Sequence, residues 1–261
     1  MKYCKFEADG GARYALVEER NGELWAVKAM AAPEEDAGVG GGGDFEAKPL
    51  AKLKLLAPVK PSKIVCVGRN YADHAAELGN DVPKEPLLFL KAPSSLLAPG
   101  AAIRRPEQSK RVDFEGELGI VIGKRCYQIG AEEDVRQYIR GYTCVNDVTA
   151  RDLQKSDGQW SRAKGFDTFC PVGPVVTDEI DPVSAAVTVS TQLNGETKQK
   201  GVTRDLIFPI AELLRYITAA MTLEPGDLIP TGTPAGVGPM QSGDVVRVSV
   251  EGIGSLENSV V

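Results

Sequence analysis

The sequence predicts a mixed α/β fold that is mostly β. Short apolar runs separated by turn residues outnumber the helical patterns, and two Asn-Gly pairs lie between alternating runs. The 28 glycines and 17 prolines among 261 residues favour a loop-rich sheet protein over a helical bundle. Strand and helix patterns do not alternate regularly, which argues against a doubly wound parallel sheet. A chain of this length is at the upper limit for one hydrophobic core, so we expect one large domain with a small additional one.

The pattern of the N-terminal part of the sequence predicts a small β-rich domain over residues 1–58. Residues 13–29 contain two alternating apolar runs around Asn21-Gly22, a strong signal for a type I′ hairpin. The glycines at 38, 40 and 43 match the dinucleotide-binding pattern GxGxxG, but no strand precedes them and no amphipathic helix follows. We therefore interpret residues 33–49 as a flexible acidic loop and exclude a dinucleotide site. A boundary near residues 58–62 separates this part from a main domain over 62–261.

The main domain predicts several strands and few helices. The predicted strands are Ile64–Val67, Leu87–Leu90, Val112–Gly123, a hairpin of Val187–Leu193 and Glu196–Lys200 around Asn194-Gly195, and a final strand–turn–strand over 243–261. The predicted helices are a short one within residues 68–80 that ends at Gly79 or Asn80, Ala131–Arg140, the ARDLQK stretch of 150–155, and Asp205–Met221 with Pro209 in its first part.

Composition excludes several classes of function. The formal net charge of −6 and a pI near 5.1 do not fit a nucleic-acid-binding protein. The only histidine, His74, rules out zinc sites with several imidazoles and makes this residue the one candidate for imidazole catalysis. The five widely spaced cysteines form no CxxC motif and predict a reducing cytoplasm rather than a disulfide framework. The sequence shows neither a signal peptide nor an apolar run long enough to span a bilayer.

A pair of glutamates in residues 111–124 is a candidate for metal binding. Glu115 and Glu117 are two positions apart in a predicted strand, so both side chains point to one face and can reach one cation. The alternative is a solvent-facing strand with scattered acids, among them Asp113, which has the same parity. Gly116 and Gly119 weaken a strand, and such glycines often mark the close approach of a ligand or another backbone.

Asp147 is a candidate third carboxylate. It follows a short apolar run and precedes the predicted helix, so it is also a candidate N-cap. Three carboxylates would leave coordination positions of a hard ion such as Mg²⁺ or Mn²⁺ open for water or substrate. Arg151 and Gln154 lie on one helical face beyond Asp147 and could bind a substrate carboxylate.

His74 and Glu77 are i, i+3 neighbours on the predicted short helix. A carboxylate beside an imidazole orients the ring and raises its basicity, as in a catalytic base pair. A structural histidine is the alternative, although the polar, glycine-bounded surroundings favour a mobile surface segment over a core position. Lys164 could stabilise an oxyanion or could simply be a solvated surface lysine. The TGTPAGVG segment of 231–238 is typical of turns, and its hydroxyls and amides could line a site.

These segments together resemble the fumarylacetoacetate hydrolase family over residues 62–261. The motifs that carry the resemblance are GRNYADH, LLFLKAPSSL, DFEGELGIVIGK, NDVTARDLQ, AKGFDTFCPVGP and TGTPAGVG, in that order. The sequence is most similar to the acylpyruvase and oxaloacetate decarboxylase branch and to bacterial 2-hydroxyhepta-2,4-diene-1,7-dioate isomerase-like members. The resemblance implies a β-roll catalytic domain with peripheral helices, usually in a homodimer, and a variable lid over LGNDVPKEP of 78–86.

The resemblance also implies roles for individual residues. Glu115, Glu117 and Asp147 match the carboxylates that bind Mg²⁺ or Mn²⁺, and Ca²⁺ is a further hard ion that could replace them in a crystal; no organic cofactor is expected. His74 and Glu77 match the catalytic dyad, and Lys164 matches a catalytic lysine. The implied substrate contacts are Arg69, Tyr71, Arg151, Gln154 and Thr233.

The implied activity is divalent-metal-dependent chemistry on a small 2-oxo or diketo acid. The first hypothesis is hydrolysis of a C–C bond in an acylpyruvate such as acetylpyruvate or fumarylpyruvate, through an enolate stabilised by the metal. Decarboxylation of oxaloacetate and tautomerisation of oxaloacetate or a 2-hydroxymuconate share that enolate, so the sequence separates the three poorly. A metal-dependent 2-oxo acid-binding protein without turnover is the alternative from a different class.

Overall fold

The computed structural model describes residues 1–8, 10–39, 45–77, 79 and 81–261. Within these ranges the chain forms nineteen strands and four α-helices, which confirms the mostly β prediction. The strands of the first hundred residues are β1 (Lys2–Ala8), β2 (Gly11–Arg20), β3 (Glu23–Met30), β4 (Lys48–Pro49), β5 (Leu55–Leu56), β6 (Ile64–Gly68), β7 (Leu87–Lys91) and β8 (Leu96–Leu97). The next strands are β9 (Val112–Phe114), β10 (Gly116–Ile122), β11 (Ile139–Asn146), β12 (Thr149–Ala150) and β13 (Cys170–Thr177). The last are β14 (Thr188–Leu193), β15 (Glu196–Val202), β16 (Leu228–Pro230), β17 (Gly238–Pro239), β18 (Val245–Val250) and β19 (Gly254–Ser259). The helices are α1 (Ala72–Glu77), α2 (Arg151–Ser156), α3 (Ser161–Gly165) and α4 (Ile210–Ala220).

The largest sheet has twelve strands and runs through both predicted domains. Its order is β4-β3-β2-β1-β13-β11-β10-β16-β6-β7, and β5 and β8 pair with β1 and β13 respectively. β1 joins the two parts because Tyr3 pairs with Val176 on β13. The strands of residues 1–58 therefore extend the sheet of the main domain, and the domain division at 58–62 stays a prediction. A three-stranded sheet, β12-β9-β17, and a four-stranded sheet, β15-β14-β18-β19, complete the β structure.

Both predicted Asn-Gly hairpins are confirmed. Asn21 and Gly22 have φ values of 52° and 81°, and Asn194 and Gly195 have φ values of 53° and 82°. Two successive positive φ angles define the type I′ turn, whose twist matches that of the flanking strands. The turns thereby set the registers of β2 with β3 and of β14 with β15.

The predicted helix Ala131–Arg140 is wrong. Only a 3₁₀ turn, Val135–Tyr138, forms there, and Asp134 caps it by accepting a hydrogen bond from the Arg136 N–H at 3.1 Å. β11 already begins at Ile139, because this segment must return the chain antiparallel to β10, where Ile122 pairs with Ile139. Strand pairing in the central sheet thus prevails over the helix-like charge pattern.

The predicted helix Asp205–Met221 starts later than expected. A 3₁₀ turn covers Thr203–Asp205, and Pro209 lies immediately before α4 in an extended conformation, with φ −60° and ψ 157°. The apolar stripe of α4 is buried as predicted, and Leu213, Leu214 and Ile217 pack in the largest hydrophobic cluster. Within the described ranges, no helix combines the length and the apolar character needed to cross a membrane.

The predicted strand Val112–Gly123 is divided at Glu115. β9 pairs with β12 and β17 in the small sheet, whereas β10 pairs with β11 and β16 in the large one. Both faces of the two strands are buried, so the acids of this segment do not face solvent as in the alternative interpretation. Gly116 and Gly119 admit neighbouring side chains: an added Cβ would lie 2.0 Å from Thr191 Oγ1 at Gly116 and 2.5 Å from Val145 Cγ2 at Gly119.

The ends of several strands meet at one edge of the large sheet. β10 is antiparallel to both β11 and β16, and β16 is parallel to β6. The beginning of β10 therefore lies beside the carboxyl ends of β11, β16 and β6. The segments that leave this edge are the glutamate pair, the Asn146-Asp147 turn, the loop of 231–238 and the GRNYADH segment.

Candidate active site

Three buried carboxylates converge at this edge. Glu115, Glu117 and Asp147 each offer an oxygen, and these oxygens lie within 4.8 Å of one another. The exposed fractions of the three residues are 4%, 1% and 1%. The structure therefore brings together the three carboxylates that the sequence singled out, whereas Asp113 is excluded from the group and is held by Arg111 and Arg151 instead.

Backbone contacts fix the spacing of these carboxylates. The Asp147 N–H donates to the Glu115 carbonyl oxygen at 2.8 Å, and the Glu115 N–H donates to Asn146 Oδ1 at 2.9 Å. Asn146 is paired with Gly116 across β10 and β11. The N-cap interpretation of Asp147 is wrong, because Ala150 precedes α2 and no side chain caps it. Asp147 is thereby free to turn towards the glutamates.

Two buried lysines and an arginine surround the carboxylates. Lys164 Nζ lies 2.8 Å from Glu115 Oε2 and 2.5 Å from Asp147 Oδ2, and Lys91 Nζ lies 2.7 Å from Asp147 Oδ1. Arg151 Nη2 lies 2.6 Å from Glu115 Oε1 and its Nε lies 2.9 Å from Asp113 Oδ2. Lys164 is therefore a buried partner of the site and not a solvated surface lysine. Lys91, at the end of β7, has an equally close contact that the sequence left ambiguous.

The surroundings shift the pKa values of Glu115 and Glu117 in opposite directions. Burial alone would raise the pKa of Glu115, but Lys164 and Arg151 outweigh it and hold this pKa well below its usual range. Burial raises the pKa of Glu117 well above its usual range, and the negative charges of Asp147 and Glu115 add to the effect. Glu117 Oε2 accepts a hydrogen bond from the Gly232 N–H at 2.7 Å, but no lysine or arginine of the described chain pairs with Glu117.

This donor set fits a divalent hard cation. All three donors are carboxylate oxygens, which Mg²⁺ and Mn²⁺ prefer over nitrogen or sulfur ligands. A divalent ion between them would supply the positive charge that Glu117 lacks. A divalent hard cation would thus match the oxygen donors and also neutralise the charge of Glu117.

The imidazole of His74 faces this cluster from α1. His74 is only 4% exposed, so the expectation of a mobile surface position is wrong. Its Nδ1 lies 3.5 Å from Glu77 Oε2, slightly longer than a formed hydrogen bond. Burial lowers the pKa of His74, although the charge of Glu115 opposes this shift. Glu77 is anchored on its other side, because both of its oxygens accept from the Gly236 N–H at 3.1 Å.

The segment between β6 and α1 is locked by Asn70. The Asn70 amide donates to the Thr231 carbonyl at 2.8 Å and accepts from the Phe208 N–H at 2.8 Å. Before it, Arg69 adopts a φ of 56°, an uncommon backbone conformation for a residue with a side chain. The Arg69 guanidinium lies 5.7 Å from the ring centre of Trp160. The turn thereby directs Arg69 towards the open side of the site.

Two neighbouring spaces with shared lining residues lie in front of these groups. A small inner cavity of about 50 Å³ is lined by His74, Glu115, Arg151 and Lys164, together with Gly68, Arg69, Gln154 and Trp160. An outer cleft of about 540 Å³ shares Arg69, Arg151, Gln154 and Trp160 with it and adds Glu77, Arg111, Lys155 and Val237. The cleft has the volume of an ordinary small-molecule site, and its walls are predominantly cationic.

The remaining predicted contacts lie at different depths. Gln154 reaches the cleft and accepts from Arg151 Nη1 at 2.7 Å. Tyr71 is buried in the hydrophobic cluster, and burial together with the charge of Glu117 raises the pKa of its phenol. Thr233 is 2% exposed, and its hydroxyl donates to the Gly116 carbonyl at 2.9 Å. A substrate contact of Tyr71 or Thr233 stays a prediction.

Sequence reasoning left the role of Lys91 open and missed Asn146 and Gln199 as components of the site. Lys91 ends an apolar strand, and a lysine in such a position is an available signal for a buried charge. Asn146 directly precedes Asp147 and could have been noticed in the same turn. Gln199 lies far away in the sequence on an ordinary strand, so nothing local indicated its contacts with Gly116 and Thr233.

Comparison with known proteins shows which family this chain belongs to. Residues 63–261 match the family described as Fumarylacetoacetate (FAA) hydrolase C-terminal. The oxaloacetate tautomerase YisK of Bacillus subtilis is 42% identical over 224 residues, which cover 81% of this chain and 75% of the relative. An uncharacterised protein of Methanocaldococcus jannaschii is 53% identical over 205 residues, which cover 78% of this chain and 85% of the relative.

A solved structure extends the similarity to the whole chain. The 2-hydroxyhepta-2,4-diene-1,7-dioate isomerase from Mycobacterium marinum is 42% identical and superposes with a TM-score of 0.85 over 100% of this chain and 98% of its own. The sequence match and the structural superposition indicate the same family. The chain therefore belongs to the fumarylacetoacetate hydrolase family and is an enzyme of that family.

Proposed function

We propose that this enzyme moves a proton at the carbon next to the oxo group of a small 2-oxo acid, with the keto–enol tautomerisation of oxaloacetate as the first candidate reaction. The observation that carries the proposal is the inner cavity, where His74 faces the same small space as Glu115, Lys164 and Arg151. The names of the Bacillus relative and the Mycobacterium marinum structure, a tautomerase and an isomerase, support this reaction class.

A divalent cation belongs to this proposal. Glu115, Glu117 and Asp147 would hold Mg²⁺ or Mn²⁺, and the bound ion would supply Lewis-acid stabilisation of the negative charge that develops on the 2-oxo oxygen. Lys164 holds Glu115 and Asp147 in place through its two ion pairs. Arg151 holds Glu115 from the opposite side and is itself fixed by Asp113.

The outer cleft favours a substrate with two negative charges. Arg69, Arg111, Arg151 and Lys155 line it, against the single carboxylate of Glu77. Arg151 and Arg111 are already paired with acids, whereas Arg69 and Lys155 form no ion pair with the described carboxylates. The inner cavity of about 50 Å³ is too small for a four-carbon diacid. Only the reacting end enters it, and the distal carboxylate stays in the cationic cleft.

His74 is the acid–base group of the proposed reaction. In the keto-to-enol direction its imidazole takes a proton from C3, water donates a proton to the C2 oxygen, and the protonated imidazole then returns its proton to the hydroxide that remains. In the reverse direction the C2 hydroxyl gives its proton to water and the protonated imidazole gives one to C3. Glu77 stabilises the protonated ring and fixes its orientation once the 3.5 Å contact tightens around substrate. The Gly236 N–H keeps Glu77 from turning away into the cleft.

Hydrolysis of an acylpyruvate is the second candidate. The favouring observation is that Glu77 lines the outer cleft while it contacts His74, so the dyad borders a space where water can enter. The same base would then activate water for attack on the distal carbonyl. A similar solved structure from Exiguobacterium antarcticum is named a fumarylacetoacetate hydrolase, which supports C–C bond hydrolysis as a class. Hydrolysis of an acylpyruvate and the decarboxylation of oxaloacetate both stay predictions.

The test is a substrate panel with the purified protein. Loss of the enol absorbance is followed for oxaloacetate, acetylpyruvate, fumarylpyruvate and a 2-hydroxymuconate derivative, with Mg²⁺, Mn²⁺ or EDTA, and the products are identified. Accelerated enol–keto exchange of oxaloacetate without new products is the expected result. Release of pyruvate from an acylpyruvate supports hydrolysis instead.

Failure of the proposal has a clear signature. Protein that binds Mn²⁺ but accelerates none of the four reactions contradicts the assignment. Equal rates with excess EDTA and with Mn²⁺ contradict the metal dependence. The control is the nonenzymatic rate at the same metal concentration, because divalent ions promote enolisation of oxaloacetate on their own.

A further inference from the structure

We propose that Gln199 is a positioning residue that couples the carboxylate cluster to the His74–Glu77 dyad. Gln199 lies on β15, outside every motif that carries the family resemblance, and touches neither the inner cavity nor the cleft. Its role in catalysis rests on the proposed function, whereas its role in the geometry of the site does not.

One half of the coupling joins Gln199 to the strand of the glutamates. The Gln199 side chain is only 1% exposed, and its Oε1 accepts a hydrogen bond from the Gly116 N–H at 3.0 Å. Gly116 is the residue between Glu115 and Glu117, so a shift of its peptide moves both carboxylates. An added Cβ at Gly116 would lie 2.0 Å from Thr191 Oγ1, which shows how closely β14 packs here.

The other half joins Gln199 to the loop that anchors Glu77. The Gln199 Nε2 donates to Thr233 Oγ1 and to the Pro234 carbonyl, both at 2.7 Å. Thr233 Oγ1 in turn donates to the Gly116 carbonyl at 2.9 Å, which closes a ring of buried hydrogen bonds. Two residues after Pro234, the Gly236 N–H holds both oxygens of Glu77.

The backbone of β15 supports the same loop at a second point. Gly236 has a φ of 101°, and an added Cβ there would lie 2.0 Å from the carbonyl oxygen of Lys198, the residue before Gln199. Strand β15 thus contacts the loop through the Gln199 side chain and through the Lys198 backbone. A displaced loop would carry the Gly236 N–H away from Glu77 and leave the dyad without its anchor.

The chemistry of this position calls for a primary amide. The Gly116 N–H needs an acceptor and the Pro234 carbonyl needs a donor, and the Oε1 and Nε2 atoms of one carboxamide group supply both. Methionine has similar length and offers neither group. An ionised glutamate offers an acceptor to Gly116 and no donor to Pro234. The two substitutions therefore separate the two halves of the coupling.

The experiment compares Gln199→Met and Gln199→Glu with wild type at mildly alkaline pH. Three measurements are made: the Mn²⁺ affinity of the metal-free protein by calorimetry, hydrogen exchange in the peptide that contains Gly236, and steady-state kinetics with oxaloacetate, which give kcat and KM. Gln192→Met is the matched control, because Gln192 is a half-buried glutamine on β14 of the same small sheet without a side-chain contact to the site.

The expected results differ between the variants. Gln199→Met weakens Mn²⁺ binding and lowers kcat, each by about 10- to 100-fold, and speeds exchange at Gly236, because outer groups of metal sites typically matter by that amount. Gln199→Glu keeps Mn²⁺ affinity within about threefold of wild type, yet it loses kcat and exchanges faster at Gly236. KM changes less than kcat in both, since Gln199 does not line the cleft. Gln192→Met changes none of the three.

Two outcomes would overturn the inference. Wild-type exchange at Gly236 and wild-type Mn²⁺ affinity in folded Gln199→Met contradict the coupling outright. The inference is also overturned if Gln199→Glu and Gln199→Met lose Mn²⁺ affinity and kcat equally, exchange equally fast at Gly236, and show a Tm that falls in parallel. Gln199 would then be a purely structural residue. If wild type itself lacks turnover, the proposed function fails, while the affinity and exchange measurements still decide the coupling.

Discussion

The three clustered carboxylates differ in what surrounds them. Glu115 and Asp147 each contact at least one buried lysine or arginine, whereas Glu117 accepts only the backbone N–H of Gly232 among the contacts described. Burial and its two acidic neighbours raise the pKa of Glu117 well above its usual range. Of the three proposed ligands, Glu117 is therefore the one whose charge would depend most on a bound cation, and it is the best single residue for testing metal binding.

Addition of Mn²⁺ or Mg²⁺ should raise the Tm of the metal-free protein, and Glu117→Gln should abolish most of that rise. Ligand at a hundred times its Kd stabilises the folded state by about 2.7 kcal/mol, which a thermal melt detects easily. Glu132→Gln is the control, because Glu132 is an exposed carboxylate away from the cluster. An unchanged metal-induced rise in Glu117→Gln would exclude Glu117 as a ligand.

His74→Ala should lower kcat for enolisation by at least about 100-fold, the usual contribution of a positioned general base. The metal-induced rise in Tm should persist in this variant, because His74 is not one of the three clustered carboxylates. Since the sequence has a single histidine, no second imidazole can substitute for it. Wild-type turnover by His74→Ala would remove the proposed base from the mechanism.

Individual site residues differed in how far sequence could predict them. The two-residue spacing of Glu115 and Glu117 was sufficient to place them on one side, and the structure confirms their proximity. The burial of His74 was not predictable, since its neighbours in sequence are polar and the residues that cover it come from distant segments. Gln199 had no local signal, because a buried glutamine acquires its partners only when three separate segments pack together.

At the scale of elements, the contact of β10 with β14 depends on a missing side chain. Gly116 faces Thr191, whose hydroxyl is buried without a hydrogen-bond partner in the described structure. The glycine lets the two sheets approach closely beside the glutamates. Its substitution would force the strand and both flanking carboxylates outward.

Gly116→Ala should destabilise the protein by about 1–3 kcal/mol, the usual cost of overpacking a core position. Thr191→Ala alone should cost less, because its hydroxyl makes no hydrogen bond that would be lost. The double variant should recover part of the loss, with a coupling of about 0.5–3 kcal/mol between contacting positions. Chemical denaturation of the four proteins measures the cycle, and strict additivity would show that the two side chains do not compete for space.

Elements with their own local signals were predicted well. Both Asn-Gly turns, the buried strand β6 and the apolar stripe of α4 have short-range patterns that suffice to define them. The predicted helix over 131–140 failed because its charges mimic a first helical turn, while the chain there must pair with β10. The break at Glu115 was equally invisible, since two sheets compete for one continuous β pattern.

At the scale of the molecule, a buried acid joins the N-terminal strands to the segment at 58–62. Asp36 is 3% exposed, and its carboxylate contacts Lys5 at 2.5 Å, Tyr14 at 2.7 Å and Lys60 at 3.3 Å. Burial alone would raise the pKa of Asp36, but hydrogen bonds from Lys5 and Tyr14 outweigh it and lower the pKa. A carboxyl with a lower pKa in the folded than in the unfolded state stabilises the fold only when it is ionised.

Asp36→Asn should lower the free energy of unfolding at neutral pH by about 1–3 kcal/mol, the range for hydrogen bonds to a charged group. The difference from wild type should shrink as the pH falls below about 4, the pKa of an aspartate in an unfolded chain, and vanish below the folded pKa. Denaturation at a series of pH values measures this. Glu107→Gln, at an exposed position, is the control, and a pH-independent difference would contradict the role of the charge.

The organisation of the whole chain was predictable only in part. The mostly β class followed from turn signals and composition, and the structure confirms it. The single sheet through both predicted domains was not predictable, because the pairing of β1 with β13 joins residues at opposite ends of a long stretch of sequence. Of the flexible loop predicted over 33–49, residues 40–44 lie outside the described residues, and the described part contains a 3₁₀ turn at Glu34–Asp36 and strand β4. The expected homodimer stays a prediction.

The pairing of Tyr3 with Val176 sets an order of events during protein synthesis. β1, β2 and β3 can form as soon as they leave the ribosome, since their turns and partners are local. The first residues of β1, however, have no partner on their other side until β13 has been made. An unpaired strand edge invites association with other chains. The start of β1 in the nascent chain therefore stays exposed on one side until β13, the strand that follows Lys164, has been synthesised.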